Sequence, residues 1–242
     1  MIFVAKHIFE IVNEKLQRII STKSTVIPNG IDLNKFTFKP REKGFNLAYV
    51  GYINYKKGPM LLLQLFKAVY DKDNRYKLYI AGEFQDERDF LYFKQMIKEW
   101  HLEDSIVFEG WQDDINKWLE DKNYIICTSI LESQNMGVME AMAKGIKPVI
   151  HNFVGAREIY PPDIIWTTVD EAVEMIISDD YDSAKYRAFI ESNYSLEQQN
   201  KKIKNLIEKL VTKQEDLNVN IEFNNVWDSI WNNYSRINIS DI

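Results

Sequence analysis

The sequence has 242 residues, of which 45% are hydrophobic, so it is long enough to bury a substantial core. Its formal net charge is −6, with Lys and Arg interspersed among acidic residues, which argues against a broad nucleic-acid-binding surface. A single cysteine, Cys127, permits no disulfide framework, and no apolar run reaches the length of a membrane span or a signal peptide, so we expect a cytoplasmic protein with at most peripheral membrane contact.

The N-terminal region is predicted to contain a short strand and a helix. Residues 1–6 look like a lone strand, and the apolar residues of 8–20 have helical spacing. The next segment, 25–31, contains Pro28, Asn29 and Gly30, a combination typical of a turn.

From about residue 46 onward, strand-like and helix-like segments alternate. The predicted strands cover residues 46–50, 77–81, 105–109, 123–128, 148–150 and 163–166. The predicted helices cover residues 59–70, 86–100, 113–120 and 135–144. This order implies right-handed crossovers, so we expect an α/β fold with a Rossmann-like doubly wound parallel sheet and helices on both faces.

The C-terminal region is predicted to begin with a long helix. Ser195 and Gln198 form a capping box that opens this helix, which runs to about residue 213. Residues 214–242 are polar and rich in Asn, yet they contain Trp227 and Trp231 at helical spacing. This tail is either a short docking helix or a partly ordered segment, and both interpretations stay open.

The most informative stretch covers residues 124–145. An apolar strand is followed by a polar loop that carries Glu132, and then by a helix that carries Glu140 eight positions later. A helix N-terminus at the carboxyl end of a parallel strand is where such sheets bind phosphorylated ligands. Two carboxylates beside it suit a ligand rich in hydroxyl groups, which favours a nucleotide sugar.

Five segments, in this order, carry a family resemblance. They are residues 26–32 with Phe36, residues 50–58 with their Val-Gly and Lys-Lys-Gly, residues 107–110, residues 129–145, and residues 155–158. Together they resemble the retaining, metal-independent glycosyltransferases of family 4, which have the GT-B architecture of two Rossmann-like domains. The resemblance implies a donor-binding domain over 25–213, a residual strand and helix of an acceptor domain over 1–24, and a tail over 214–242. It also implies that the chain is either a fragment or one half of a two-chain enzyme.

The resemblance assigns roles to several residues. Lys57 matches the lysine that contacts the donor phosphate, and Glu132 matches the carboxylate near the transferred sugar, so both are predicted to be catalytic. Glu140 matches the acceptor of hydrogen bonds from the ribose hydroxyls. The alternatives are a solvent-exposed lysine, an ordinary loop acid, and a glutamate that merely favours a helix N-terminus.

The sequence departs from the family pattern at two places. Tyr52 stands where the family has Arg next to Gly51, so stabilisation of the leaving group is expected to be weaker. Gln134 and Asn135 stand where the family has an aromatic residue and Gly. The backbone N–H groups of Asn135, Met136 and Gly137 are nonetheless expected to meet the diphosphate or the sugar. Which sugar Gln134 and Asn135 select stays open.

The nucleobase is expected near the ends of two further strands. Gly82 and Trp111 lie there, and Trp111 is either a stacking partner or a residue at the edge of the core. The histidines His7, His101 and His151 have no metal-ligand spacing, so no metal site is predicted. The resemblance implies that no cofactor takes part and that a nucleoside-diphosphate sugar is the substrate.

The motifs and the resemblance together lead to the hypothesis of a hexosyl-type retaining glycosyltransferase. Its acceptor would be a glycan or a lipid-linked sugar, held by a missing domain or by a partner polypeptide, in cell-surface polysaccharide or glycoconjugate synthesis. The main alternative is a non-catalytic nucleotide-sugar-binding or scaffold subunit. A different doubly wound domain, such as a nucleotide-binding regulator, would explain the alternation but not the ordered motifs.

Overall fold

The computed structural model describes residues 1–15 and 24–215. The chain divides into two compact units, Met1–Asn200 and Lys201–Ile242. Most of the predicted tail, with Trp227 and Trp231, lies outside the described residues, as do residues 16–20 of the predicted N-terminal helix.

Two short strands near the N-terminus form a small parallel sheet. They are β1 (Ile2–Phe3) and β2 (Thr25–Val26). The helix α1 (Lys6–Lys15) follows β1 closely. The prediction of a lone strand over residues 1–6 is therefore wrong: the strand is shorter, it has a partner, and the helix begins at Lys6. Pairing gives the carbonyls of Met1 and Phe3 their hydrogen bonds, from the N–H groups of Thr25 and Ile27.

The main sheet has six parallel strands. They are β3 (Asn46–Val50), β4 (Lys77–Ala81), β5 (Ile106–Gly110), β6 (Tyr124–Cys127), β7 (Lys147–His151) and β8 (Ile165–Trp166). Their order is β5-β4-β3-β6-β7-β8. This is the doubly wound order, and it confirms the predicted Rossmann-like sheet.

Helices connect the strands. They are α2 (Pro59–Lys72), α3 (Glu87–Glu99), α4 (Ile115–Trp118), α5 (Met136–Ala143) and α6 (Ala156–Ile159), and then α7 (Val169–Ile177), α8 (Ser183–Asn193) and α9 (Leu196–Glu215). Helices α7 and α8 were not predicted from the sequence, although Thr168 and Glu171 form a complete capping box at the start of α7. The predicted strand 163–166 is shorter than expected, because Pro162–Ile164 forms a 3-10 turn.

The core lies on both faces of the main sheet. Along β3, Leu47 and Tyr49 face α2, α3 and α7, whereas Ala48 belongs to the cluster that packs against α5 and α8. Sheets covered on both faces keep polar groups at the strand ends. Function is therefore expected at those ends.

The strand order reverses between β3 and β6. These two strands are paired directly, with Leu47 opposite Tyr124 and Ala48 opposite Ile125. From β3 the chain proceeds to β4 and β5 on one side, and from β6 to β7 and β8 on the other. The loops after β3 and β6 therefore border the crevice in which doubly wound sheets bind their ligands.

Candidate active site

The loop after β3 is pressed against the end of β6. The Asn54 side chain caps a 3-10 turn by accepting from the N–H of Lys57, and Gly58 follows in the left-handed conformation at φ 65°. A Cβ at Gly58 would lie 2.3 Å from the carbonyl oxygen of Thr128, so only glycine permits this approach. The Thr128 hydroxyl donates to the Lys57 carbonyl over 2.9 Å, which fastens the two loops together.

This packing brings Lys57 and Glu132 into contact. The Nζ of Lys57 lies 2.5 Å from Oε1 of Glu132, and the Ser129 hydroxyl donates to the same oxygen over 2.8 Å. The side chains of Lys57 and Glu132 are 16% and 7% exposed. A Cβ built on Gly51 would lie 3.9 Å from the Lys57 ammonium, so this charge also lies beside the end of β3. Two predicted catalytic residues are thus joined in a largely desolvated ion pair at the strand reversal.

The N-terminus of α5 lies at the same place. Asn135 caps the helix through Oδ1, which accepts from the N–H of Val138, and its backbone is ordinary at φ −74°. A Cβ at Gly137 would lie 3.2 Å from the Val50 side chain, so the helix start packs closely on the end of β3. The first N–H groups of a helix have no intrahelical partners. Those of Met136 and Gly137 are therefore available at the carboxyl ends of β3 and β6.

Glu140 is a half-buried carboxylate further along α5. Within the described ranges its carboxylate makes no hydrogen bond or ion pair. Burial raises its pKa to about 7, while the charge of Lys35 opposes the shift. The structure does not bring Glu140 into contact with Lys57 or Glu132; it leaves a carboxyl group that is partly protonated near neutral pH.

Gln134 is committed to another part of the chain. Its Oε1 accepts from the N–H of Asn29 over 2.8 Å, and its Nε2 donates to the carbonyl of Asn29 over 2.9 Å. The side chain therefore holds the Pro28-Asn29-Gly30 turn. A contact between Gln134 and a donor would have to come from its backbone.

Glycines and exposed aromatic rings mark the neighbouring strand ends. A Cβ at Gly82 would lie 2.0 Å from the carbonyl oxygen of Gly51, and the N–H of Gly82 donates to Gly110. The rings of Tyr52 and Trp111 lie 5.0 Å apart at 31°, and these residues are 41% and 53% exposed. Trp111 is thus an exposed residue paired with Tyr52 rather than part of the core.

Two residues of the site were not identified from the sequence. His7 lies 2.6 Å from the carbonyl oxygen of Glu132 through Nε2, and His151 lies 2.9 Å from that of Ser129 through Nδ1. Each bond joins distant parts of the chain, and no spacing pattern signals it.

Within residues 1–15 and 24–215, no group of three or more His, Cys, Asp or Glu side chains is arranged to hold a metal ion. The helices of this part of the chain are all too short or too polar to span a bilayer.

Comparison with known proteins identifies the family. The family described as "Glycosyl transferases group 1" matches residues 31–222, most of the chain. The chain belongs to this family. The predicted glycosyltransferase relationship is confirmed at this level.

Curated members of the glycosyltransferase group match part of the chain. The GDP-mannose:cellobiosyl-diphosphopolyprenol alpha-mannosyltransferase of Xanthomonas campestris is 28% identical over 130 residues, which cover 52% of this chain and 33% of that protein. The UDP-Gal:alpha-D-GlcNAc-diphosphoundecaprenol alpha-1,3-galactosyltransferase of Escherichia coli is 23% identical over 149 residues, 55% of this chain and 38% of that protein. The matches thus span between a third and two fifths of these relatives' length.

Solved structures of glycosyltransferases share the fold. A mutant of S. aureus TarM, in complex with Fondaparinux, alpha-GlcNAc-glycerol and UDP, superposes with a TM-score of 0.70 at 21% identity, over 85% of this chain and 43% of that one. Anabaena HepE, in complex with UDP and glucose, superposes with a TM-score of 0.73 at 16% identity, over 86% of this chain and 62% of that one. The predicted fold class is confirmed.

Proposed function

We propose that this chain is the donor-binding half of a retaining, metal-independent family-4 glycosyltransferase. It binds a nucleoside-diphosphate sugar, and the hexosyl-type sugar is transferred to an acceptor. The observation that carries the proposal is the Lys57–Glu132 ion pair, set beside the N-terminus of α5 where the strand order reverses.

The diphosphate would bind between Lys57 and the start of α5. Departure of a nucleoside diphosphate adds negative charge to a phosphate oxygen, which a fixed ammonium and helix N–H groups stabilise. Lys57 would supply the ammonium, and Met136 and Gly137 would supply the N–H groups. An arriving phosphate competes with Glu132 for Lys57, and the released carboxylate can then orient hydroxyl groups of the sugar.

The ribose would bind to Glu140. An ionised carboxylate accepts two hydrogen bonds from a vicinal diol. Glu140 is half-buried and without a partner among the described residues, and its burial disfavours the ionised form. A bound diol would supply the missing hydrogen bonds and favour ionisation.

The base would stack on the pair formed by Tyr52 and Trp111. Exposed aromatic rings at the end of a binding crevice are suited to the flat face of a base. UDP is bound in the TarM and HepE structures, and GDP-mannose is named for the Xanthomonas relative, so donors with uridine or guanosine are the first to examine.

The acceptor would be a glycan or a lipid-linked sugar. Both curated relatives are named for acceptors on a diphosphate-linked polyprenol. The acceptor would be held by an acceptor domain or a partner polypeptide, in cytoplasmic steps of cell-surface polysaccharide or glycoconjugate synthesis.

The alternative is a subunit that binds a nucleotide sugar without catalysis. The presence of Tyr52 where the family has Arg favours it, because a tyrosine brings no charge to the leaving group.

Differential scanning fluorimetry with UDP, GDP, ADP and their sugars tests the binding step, since a ligand of the native state raises the melting temperature. Binding followed by transfer to an acceptor, once an acceptor-domain polypeptide is added, supports the enzyme. Binding without transfer with any such polypeptide supports the alternative. A panel without any shift contradicts both.

A further inference from the structure

The loop that carries Glu132 is held by two imidazole rings. The carbonyl oxygen of Ser129, at its start, lies 2.9 Å from Nδ1 of His151. The carbonyl oxygen of Glu132, at its end, lies 2.6 Å from Nε2 of His7. A carbonyl oxygen only accepts hydrogen bonds, so each of these ring nitrogens must carry a proton. The two histidines therefore require opposite tautomers when neutral.

His7 is fixed by its surroundings. It lies in α1, is 4% exposed, and contacts a loop 125 residues away in sequence. A Cβ at Gly155, where φ is 90°, would lie 2.3 Å from its Cγ and Nδ1, so the ring occupies space that only glycine leaves open. The buried Nδ1 has no partner among the described residues. Because Nδ1 lacks a partner, the bond from Nε2 is the polar contact that orients this ring.

His151 is fixed from the other side of the loop. It is the last residue of β7, and its ring lies 4.7 Å from that of Trp166. The end of a central strand is a rigid support. Its Nδ1–H therefore fixes the direction of the Ser129 carbonyl.

Backbone bonds hold the middle of the same loop. The N–H of Ile130 donates to the carbonyl of Lys56 over 2.9 Å, and its carbonyl accepts from Val154 over 3.2 Å. With both ends bound to histidine rings, the backbone of residues 129–132 is held in one conformation. In that conformation the carboxylate of Glu132 contacts Lys57.

We propose that His7 and His151 are positioning residues for Glu132. As donors of opposite tautomers they fix residues 129–132, so that Glu132 meets Lys57 and the chain enters α5 in the conformation that receives the diphosphate. The effect on loop order stands on geometry alone, whereas the effect on donor affinity rests on the proposed function.

The tautomers can be measured directly. The chain has three histidines, and His101 is exposed, so it serves as an internal reference. Long-range nitrogen–proton correlation spectra, recorded where the imidazoles are neutral, should show the Nε2–H form for His7 and the Nδ1–H form for His151. The reverse tautomer at either residue overturns the proposal.

Matched substitutions separate positioning from simple packing. The amide nitrogen of Gln lies near the place of Nε2, and that of Asn near the place of Nδ1. At position 7, His7→Gln should therefore preserve the bond to the Glu132 carbonyl and His7→Asn should lose it. At position 151, His151→Asn should preserve the bond to the Ser129 carbonyl and His151→Gln should lose it. His101→Gln is the control.

Two properties should be measured for these variants, with every variant kept well below its own melting temperature. Hydrogen exchange of the Ile130 amide should be about tenfold faster in His7→Asn and His151→Gln, and near the wild-type rate in the rescuing pair, as expected for loss of about 1.4 kcal/mol of local stability. Affinity for UDP or GDP should fall in the same two variants by a similar factor.

The outcomes distinguish the proposed nucleotide binding from the positioning role of His7 and His151. If the wild-type chain binds no nucleotide, the proposed function fails, while tautomers and amide exchange still decide the roles of the histidines. Equal exchange in the Gln and Asn variants at either position overturns the proposal. If a variant does not fold, the tautomer measurement on the wild-type chain decides.

Discussion

Lys57 and Glu132 lie 75 residues apart in the sequence, yet Nζ of one is 2.5 Å from Oε1 of the other. The contact joins the loops that follow β3 and β6, the two strands between which the sheet reverses its order. It places a positive charge at the end of β3, against which the start of α5 also packs. The proposed donor site depends on this relationship.

Removal of Lys57 should affect both stability and binding. Lys57→Ala leaves the largely buried carboxylate of Glu132 without its cation, which should lower the free energy of unfolding by about 3 kcal/mol. It should also weaken nucleoside-diphosphate binding by roughly ten- to a hundredfold, since a charge-assisted contact is lost. Denaturant unfolding and calorimetry measure the two effects.

The neighbouring Lys56 provides the control, because it is exposed and makes no ion pair within the described part of the chain. Lys56→Ala should leave the free energy of unfolding and the affinity for nucleoside diphosphates nearly unchanged. The double variant Lys57→Met with Glu132→Gln should recover stability but not binding, since it leaves no unpaired charge. If the double variant is as unstable as Lys57→Ala, the unpaired charge of Glu132 does not cause the loss of stability in Lys57→Ala.

Glu140 should make stability depend on pH. Its pKa is about 7 in the folded chain and 4.5 in the reference state, so the folded state holds the proton more tightly. The free energy of unfolding should therefore fall as pH rises from about 4.5 to 7. Glu140→Gln should be more stable than the wild-type chain by about 2 kcal/mol at pH 8, with little difference at pH 4.5.

The exposed Glu103 provides a control, and Glu103→Gln should leave the pH profile unchanged. Glu140→Gln should also bind nucleoside diphosphates more weakly, because an amide replaces the acceptor for the ribose diol. A variant that follows the wild-type pH profile would refute the assignment.

How much of the site was visible in the sequence differs from residue to residue. Lys57, Glu132 and Glu140 were predicted as site residues because their positions match motifs of the family that the sequence resembles. The contact between Lys57 and Glu132 was not predicted, since it depends on how closely Gly58 lets two loops approach. The bonds of His7 and of Gln134 connect distant parts of the chain, and no local pattern encodes them.

The fold shows the same division. Most strands of the main sheet were predicted because they are short, largely apolar runs such as Asn46–Val50 and Tyr124–Cys127. The pairing of β1 with β2 was missed, because strands of two residues are defined by their partner rather than by composition. The helix α8 was not predicted because its residues lack a strong apolar periodicity, whereas the start of α7 does carry a sequence signal, the capping box of Thr168 and Glu171.

The pair of Tyr52 and Trp111 should contribute to binding of the base but not of the diphosphate. Trp111→Ala or Tyr52→Ala should cost about 1–3 kcal/mol in affinity for a nucleoside diphosphate, as for loss of one stacking contact. Affinity for pyrophosphate should be unchanged, because pyrophosphate has no base. Tyr55→Ala is the control, since Tyr55 lies on the same loop as Tyr52 and is 81% exposed. Equal losses for both ligands would contradict a stacking role.

Two glycines with similar backbone angles should respond differently to substitution. Gly58 and Gly110 have φ of 65° and 68°, but a Cβ at Gly58 would strike Thr128, whereas a Cβ at Gly110 would have no neighbour within 4 Å. Gly110→Ala should cost about 1–2 kcal/mol from backbone strain alone. Gly58→Ala should cost clearly more and should also weaken nucleotide binding. Equal costs in thermal unfolding would contradict the close approach of the two loops.

Calorimetric titration of UDP and GDP into the wild-type chain and into Lys57→Ala tests the central claim most directly. We predict that one nucleotide binds the wild-type chain at micromolar strength, and that the substitution removes most of this affinity while Lys56→Ala retains it. Absence of binding by both nucleotides, or equal binding by the wild-type chain and Lys57→Ala, would contradict the assignment of this site.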